Sequence, residues 1–217
     1  MIRLHHVPGS RSFRVLWLLE EMGLPCELRL WSLTDGSLRS PGFRAVSPAG
    51  RVPALEIDGR AIFESGAIVQ YLTETRAMLA PASGDPERAD FLEWVHFAET
   101  QANILQGLNI QHIFLRPESA RSIPLMKLDT RRLALTAQVL EERLSRQDHM
   151  LGSGFSAADC MLAFNTEALF RFLPVAAYPA VAAYRARMAA RPAYRRAVAR
   201  AGRDTIYTRD FYGIPDA

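Results

Sequence analysis

The 217-residue sequence predicts an α/β domain followed by an all-α domain. Three observations carry that expectation. Short apolar runs with period two alternate with stretches of helical spacing across residues 1–77. The segment MLAPASGDP over 78–86 then breaks all periodicity with Pro, Ser, Gly and Asp, which marks a linker. From 87 to 217 the apolar patterns have helical spacing only. A chain that is 49% hydrophobic can fill both cores.

Taken in order, residues 2–5 form a short strand, and Val7-Pro8-Gly9-Ser10 is a turn. A first helix follows, with Val15, Leu16, Leu18, Leu19 and Met22 at helical spacing, and Gly23-Leu24-Pro25 stops it. Glu27 to Trp31 alternates as a second strand. Residues 32–50 are rich in Ser, Gly and Pro and leave room for one short helix over 38–46. The stretch RVPALEIDGRAIFESGAIVQYL (51–72) reads as strand, Asp58-Gly59 hairpin, strand and helix. Glu64-Ser65 opens that helix, and Ala67, Ile68, Tyr71 and Leu72 form its apolar face.

Beyond the linker, Phe91, Trp94, Val95, Ala98, Ala102 and Leu105 mark one long helix, and Leu133, Ala137, Leu140 and Leu144 another over 130–144. Ser156-Ala-Ala-Asp159 is a capping box that starts a third, with Phe155 as a staple. Pro174, Pro179 and Pro192 punctuate the last helices.

The composite pattern VPxLxxDG…ESxAIxxYL resembles the glutathione transferases. The resemblance extends over nearly the whole chain. It implies a thioredoxin-like N-terminal domain that binds glutathione and a helical C-terminal domain that binds an electrophile. It also implies a role for each motif. The Val52 backbone would pair with the cysteinyl unit of glutathione, with Pro53 fixing its direction. Glu64 and Ser65 would hold the γ-glutamyl end, and Arg51 would sit near a glutathione carboxylate. Glu99 is the candidate acid that, in some relatives, the partner subunit's long helix contributes. From the residues alone, Pro53 also fits an ordinary strand-edge proline and Ser65 a plain helix cap. Two positions depart from the family pattern: Gly66 where many relatives carry a polar residue, and Ser47-Pro48 where Asn-Pro is commoner.

Conjugation needs a thiolate. A free thiol titrates near 8.5, and each unit of lowering requires about 1.36 kcal/mol. A helix N-terminus and a donated hydroxyl proton both favour the anion. Pro8-Gly9-Ser10-Arg11-Ser12-Phe13-Arg14 resembles the serine-type transferases (theta, delta, zeta or a related bacterial class), in which an arginine follows the active serine by four residues. Ser10 fits that register, and Ser12 is the alternative. Either also reads as a helix cap. The serine would donate a hydrogen bond and not act as nucleophile, since no base–acid pair or G-x-S-x-G elbow accompanies it. His6 is a candidate pocket residue. For the electrophile, the candidates are Val7, Arg11, Phe13, Gln106, Asn109, His112 and Phe114, with Tyr207, Phe211 and Tyr212 as a lid.

Neither Cys26 nor Cys160 lies in the Ser10 region, which argues against chemistry at an enzyme cysteine and makes both core fillers. Their separation offers no metal spacing, so glutathione is the expected co-substrate, without metal. Net charge is +3, and 25 of the 26 basic residues are arginine, Lys127 being the exception. The arginines between Arg185 and Arg203 read as solvated helix faces, with no aromatic-interleaved motif for nucleic acid. No apolar run reaches membrane-spanning length and no secretory leader is visible, so a cytoplasmic protein is expected. The resemblance further implies a homodimer. Reduction of disulfides or peroxides with glutathione, and a non-catalytic binding module, are the competing functions.

Overall fold

The computed structural model describes residues 1–215. Two compact units make up the chain. The first comprises Met1–Asp85 and Ala189–Thr205; the second comprises Pro86–Met188 and the stretch from Ile206.

In the first unit, β1 (Arg3–His6) leads to α1 (Ser12–Glu21) and β2 (Glu27–Leu30), which lies parallel to β1. The Ser/Gly/Pro-rich stretch holds a 3-10 turn over Ser37–Arg39 and a short α2 (Pro41–Arg44), capped by the Ser40 hydroxyl at the Phe43 amide. Then come β3 (Ala54–Ile57), β4 (Arg60–Phe63) and α3 (Ser65–Arg76). The sheet order is β2-β1-β3-β4, with β3 antiparallel to both β1 and β4. This mixed sheet with its helices is the thioredoxin-like arrangement expected from the sequence.

Helix α1 is buried almost all round, including Val15, Leu16, Trp17, Leu18 and Leu19. It packs against β1, α3 and α8 (Pro192–Ala201), the last of which returns to this unit from the far end of the chain. Ala193, Ala197 and Ala201, four residues apart, are the buried residues of α8 and let its backbone approach closely. Its arginines are not simply solvated. Arg191 makes a two-pronged pair with Glu21, at 2.7 and 2.9 Å. Arg196 pairs with Glu20 at 2.9 Å, and Arg200 reaches Glu20 and the Cys26 carbonyl.

The second unit contains α4 (Arg88–Asn109), a π-helical turn (Ile110–Phe114), α5 (Ile123–Leu144), α6 (Ala157–Leu169) and α7 (Pro179–Ala189). Helix α4 packs on both α5 and α6. Helix α5 begins seven residues before the expected start, because Pro124 falls in its first turn, where it costs no hydrogen bond, behind the Ser122 cap. The capping box is in place: Asp159 accepts from the Ser156 amide at 2.8 Å, from the Met150 amide at 3.0 Å and from the buried Tyr184 hydroxyl at 3.0 Å. No helix among the described residues is long and apolar enough to cross a membrane.

Candidate functional site

A pocket of about 300 Å³ opens in the first unit, lined by Arg11, Ser47, Ala49, Arg51, Val52, Pro53, Phe63, Glu64 and Ser65. It therefore gathers every glutathione-binding candidate of this unit. Val52 stands just ahead of β3, whose ladder begins at Ala54, and the Val52-Pro53 bond is cis. Ser47, at the position that departs from Asn-Pro, holds this loop. Its hydroxyl donates to the Arg51 carbonyl at 2.7 Å and accepts from the Arg51 amide at 3.3 Å.

Glu64 closes the pocket from the other side. It precedes α3 with φ of 73°, a conformation that costs a non-glycine residue about 1–3 kcal/mol and concentrates at ligand clamps. Ser65 is the first residue of α3, so its position adjoins the unpaired amides of the helix N-terminus. The fully buried Arg14 donates to the Ser65 hydroxyl at 3.0 Å. A guanidinium thus lies behind the positive end of a helix, and the exposed Glu64 carboxylate stands beside it. A cationic spot next to a carboxylate suits an α-amino-acid zwitterion. Ser47, Ala49 and Phe63 complete the lining and were not singled out as ligands from sequence; the Ser-Pro departure was the available signal for Ser47.

Ser10 and Ser12 sit at the turn before α1, beside the pocket-lining Arg11. Neither caps the helix in the expected manner, since Arg11 is the N-cap residue. Ser10 is half-buried, whereas Ser12 is fully buried. Their hydroxyl oxygens are 2.7 Å apart. Ser10 Oγ also lies 2.7 Å from the Val7 carbonyl and accepts from the Ser12 amide at 3.3 Å. Ser12 Oγ is 2.7 Å from His6 Nδ1, and His6 Nε2 is 2.9 Å from the Ala201 carbonyl.

A carbonyl only accepts, so His6 Nε2 carries the proton there. Burial holds the imidazole below its ordinary pKa, despite the Ala201 contact, and keeps it neutral at pH 7. His6 Nδ1 is then an acceptor, and Ser12 spends its only proton on it. His6 is not among the residues that line the pocket described above, and it is fully buried. His5, on the opposite face of β1, is tied to Glu56 and Trp31 instead, as strand alternation requires.

The electrophile candidates fall in both units. Val7 and Phe13 are buried in the first, where Phe13 packs edge-on against Tyr194. Gln106, Asn109 and His112 belong to the end of α4 and the π-helical turn of the second. There Asn109 donates to the Tyr207 hydroxyl at 3.0 Å, and His112 lies buried against Phe172 and Tyr212. Phe211 is half-exposed, and Phe114 is exposed to a similar degree. Glu99 lies half-buried on α4. Cys160 is in the core; Cys26 is half-buried beside Arg200, and burial pushes its thiol up.

Family models match both halves of the chain. One described as Glutathione S-transferase, N-terminal domain, covers residues 9–75, and one described as Glutathione S-transferase, C-terminal domain, covers residues 107–192. Glutathione S-transferase 3 of Zea mays is 30% identical over 211 residues, spanning 91% of this chain and 93% of its own. The chain belongs to the glutathione S-transferase family. The chain is also similar to the disulfide-bond oxidoreductase YfcG of Escherichia coli, at 29% identity over 93% of this chain and 96% of the relative. Among solved structures, a Burkholderia graminis glutathione transferase with two glutathione molecules bound per subunit superposes with a TM-score of 0.83. It is 25% identical over 94% of this chain and 89% of its own.

Proposed function

We propose that this glutathione S-transferase family member binds glutathione along the 47–53 and 63–65 pocket and conjugates its thiolate to a small electrophile. The observation that carries this reading is the pairing of Arg14 with Ser65 at the start of α3, next to Glu64. That arrangement complements the carboxylate and ammonium of the γ-glutamyl end. Arg51 and Val52 would receive the rest of the tripeptide, and its sulfur would face Ser10, as in the serine-type transferases. Ser10 is favoured over Ser12 as thiolate partner, because Ser12 is buried and its proton is engaged by His6. Gln106, Asn109 and His112 are proposed electrophile contacts. A homodimer, with Glu99 serving the partner's site, belongs to the same reading.

Two measurements test it. Calorimetry should show glutathione binding, and no heat of binding would leave the fold with a non-catalytic role. Ser10→Ala should lower turnover of an aryl halide about tenfold or more while sparing glutathione affinity, from the loss of one hydrogen bond to an anion. Unchanged turnover would remove Ser10 from the mechanism.

A second reaction, glutathione-dependent disulfide reduction, is favoured by the similarity to YfcG and to a structure holding two glutathiones per subunit. Neither cysteine lines the pocket or bonds to the Ser10–Ser12–His6 chain, so the second thiol would come from a second glutathione. Assays with a mixed disulfide and an aryl halide side by side separate the two reactions.

A further inference from the structure

The directions of the His6 and Ser12 protons in the Ser10–Ser12–His6 chain follow from its inner end. Ala201 forces the proton onto His6 Nε2, Ser12 donates to His6 Nδ1, and the Ser12 oxygen is left to accept from Ser10 at 2.7 Å. Among the described residues the Ser10 proton has one other acceptor, the Val7 carbonyl, also inward, at 2.7 Å. In this resting state the half-buried Ser10 oxygen offers an approaching thiol a lone pair and no proton.

We propose that this chain takes up the thiol proton of glutathione, with His6 as the final acceptor. The thiol donates to Ser10 Oγ, and three protons each advance by one hydrogen bond: sulfur to Ser10, Ser10 to Ser12, Ser12 to His6 Nδ1. The sulfur–hydrogen bond breaks and its electron pair stays on sulfur, while a nitrogen–hydrogen bond forms on the imidazole. No other reactant is needed. The shift reverses the chain. His6 now donates to Ser12, Ser12 to Ser10, and Ser10 to the thiolate, so one event both makes the anion and turns the hydroxyl that stabilises it. When the thiolate has attacked and the leaving group departs as an anion, the proton returns outward along the same path and leaves with that group, which restores the neutral imidazole.

Burial keeps the imidazole neutral until the thiolate forms as its counter-charge. An acidic group beside the turn is Asp204, whose carboxylate occupies the space a side chain on Gly9 would need. Of the basic residues near Ala201, Arg200 is committed to Glu20 and Cys26, and Arg203 is exposed. His5 on the same strand is committed to Glu56 and Trp31. On the turn and on α1, Arg11 lines the pocket and the buried Arg14 donates to Ser65, and the Asp204 carboxylate beside Gly9 is an anion that favours a transient imidazolium.

The inference rests on the glutathione-binding reading, and the test separates the two. Wild-type protein labelled with 15N-histidine is titrated with glutathione and, in parallel, with S-methylglutathione, which has no thiol proton. His6 is assigned from the spectrum of His6→Asn. Glutathione should convert His6 Nδ1 from a bare to a protonated nitrogen as the ultraviolet thiolate band appears, and S-methylglutathione should leave it bare. A thiolate band with His6 still neutral overturns the relay and leaves the functional reading standing. Absence of binding by calorimetry overturns both. His6→Asn keeps an acceptor for Ser12 but no basic nitrogen. It should raise the thiol pKa of bound glutathione by about one unit, tenfold less thiolate at a fixed pH below it, with unchanged affinity for S-methylglutathione. A thiol pKa equal to that of the wild type would also overturn the relay.

Discussion

Replacing Glu21 with alanine probes the seam between α1 and α8. Glu21 is almost buried, with its side chain 9% exposed, and that of Arg191 is 29% exposed. The carboxylate accepts two guanidinium hydrogen bonds, at 2.7 and 2.9 Å, and one from the Trp17 indole at 2.8 Å. Hydrogen bonds to charged groups contribute about 1.5–3 kcal/mol each, and removing one partner of a shielded pair costs up to about 3–5 kcal/mol. The pair lies near the surface and the two guanidinium bonds share one ion pair, so the expected loss is about 2–4 kcal/mol. In a chain of this size that lowers the melting temperature by about 4–16 °C. Urea unfolding followed by tryptophan fluorescence reads the change directly, because Trp17 is itself a partner of Glu21. The control is Asp58→Ala, which removes an exposed pair with Arg76 at 3.8 Å and should cost under about 0.5 kcal/mol. If Glu21→Ala costs no more than the control, α8 is not clamped to α1 by these arginines. The neighbouring Glu20 supplies the pH dependence. Burial pushes its carboxyl up, but the hydrogen bonds from Arg200 and Arg196 outweigh that and hold it below its ordinary value of 4.5. A carboxyl depressed on folding stabilises the fold fully above the unfolded pKa. The wild type should therefore lose this contribution as pH falls below about 4.5, and Glu20→Gln should show a shallower acid limb.

Three other substitutions test separate parts of the molecule. Gly9→Ala introduces a side chain at φ of 75° that collides with the Asp204 carboxylate. A loss of about 2 kcal/mol is expected in thermal unfolding, and a neutral effect would mean that the turn before Ser10 is not packed as described. Ser65→Ala should weaken glutathione binding by about 10- to 100-fold in calorimetry, since it removes one hydrogen bond to a carboxylate. A change under about twofold would exclude Ser65 from the site. Asp159→Ala strands the amides of Met150 and Ser156 and the Tyr184 hydroxyl, at about 1–3 kcal/mol for each buried donor. The second unit should lose about 3 kcal/mol or more by chemical denaturation, and a cost near 1 kcal/mol would reduce the motif to an ordinary cap.

What was legible in the sequence was local. The hairpin at Asp58-Gly59 and the capping box each declare themselves within a few residues, because turn chemistry and helix ends are decided by neighbours. The pocket was legible to the same extent, since Arg51, Val52, Pro53, Glu64 and Ser65 come from one 15-residue stretch. What escaped depends on contacts far along the chain or on backbone angles. Apolar spacing alone starts α5 at Thr130, and only the structure shows Ser122 capping the helix ahead of Pro124. The left-handed Glu64 has no residue signature, as glycine would. The arginines of α8 have the spacing of a solvated face, and only Glu20 and Glu21, about 170 residues away, reveal their task.

His6 shows how such a distant contact reaches the chemistry. By sequence it is one of two adjacent histidines on a strand end, with nothing to say which nitrogen bears the proton. The tautomer is decided by the carbonyl of Ala201, 195 residues later, and that carbonyl is positioned by the last turn of α8. Arg191, Arg196 and Arg200 fix α8 on α1 through Glu20 and Glu21. The same α1 begins at Ser12, so the clamp holds both ends of the hydrogen-bonded chain, the donor on α1 and the acceptor on α8. A hydrogen bond of 2.7 Å has little tolerance, because a displacement of about 1 Å turns it into no bond at all. Substitutions at the clamp should therefore shift the thiol pKa of bound glutathione, while those at exposed arginine pairs such as Arg76–Asp58 should not. The surface charge that the sequence presents as bulk basicity would then help to set the proton inventory of the site.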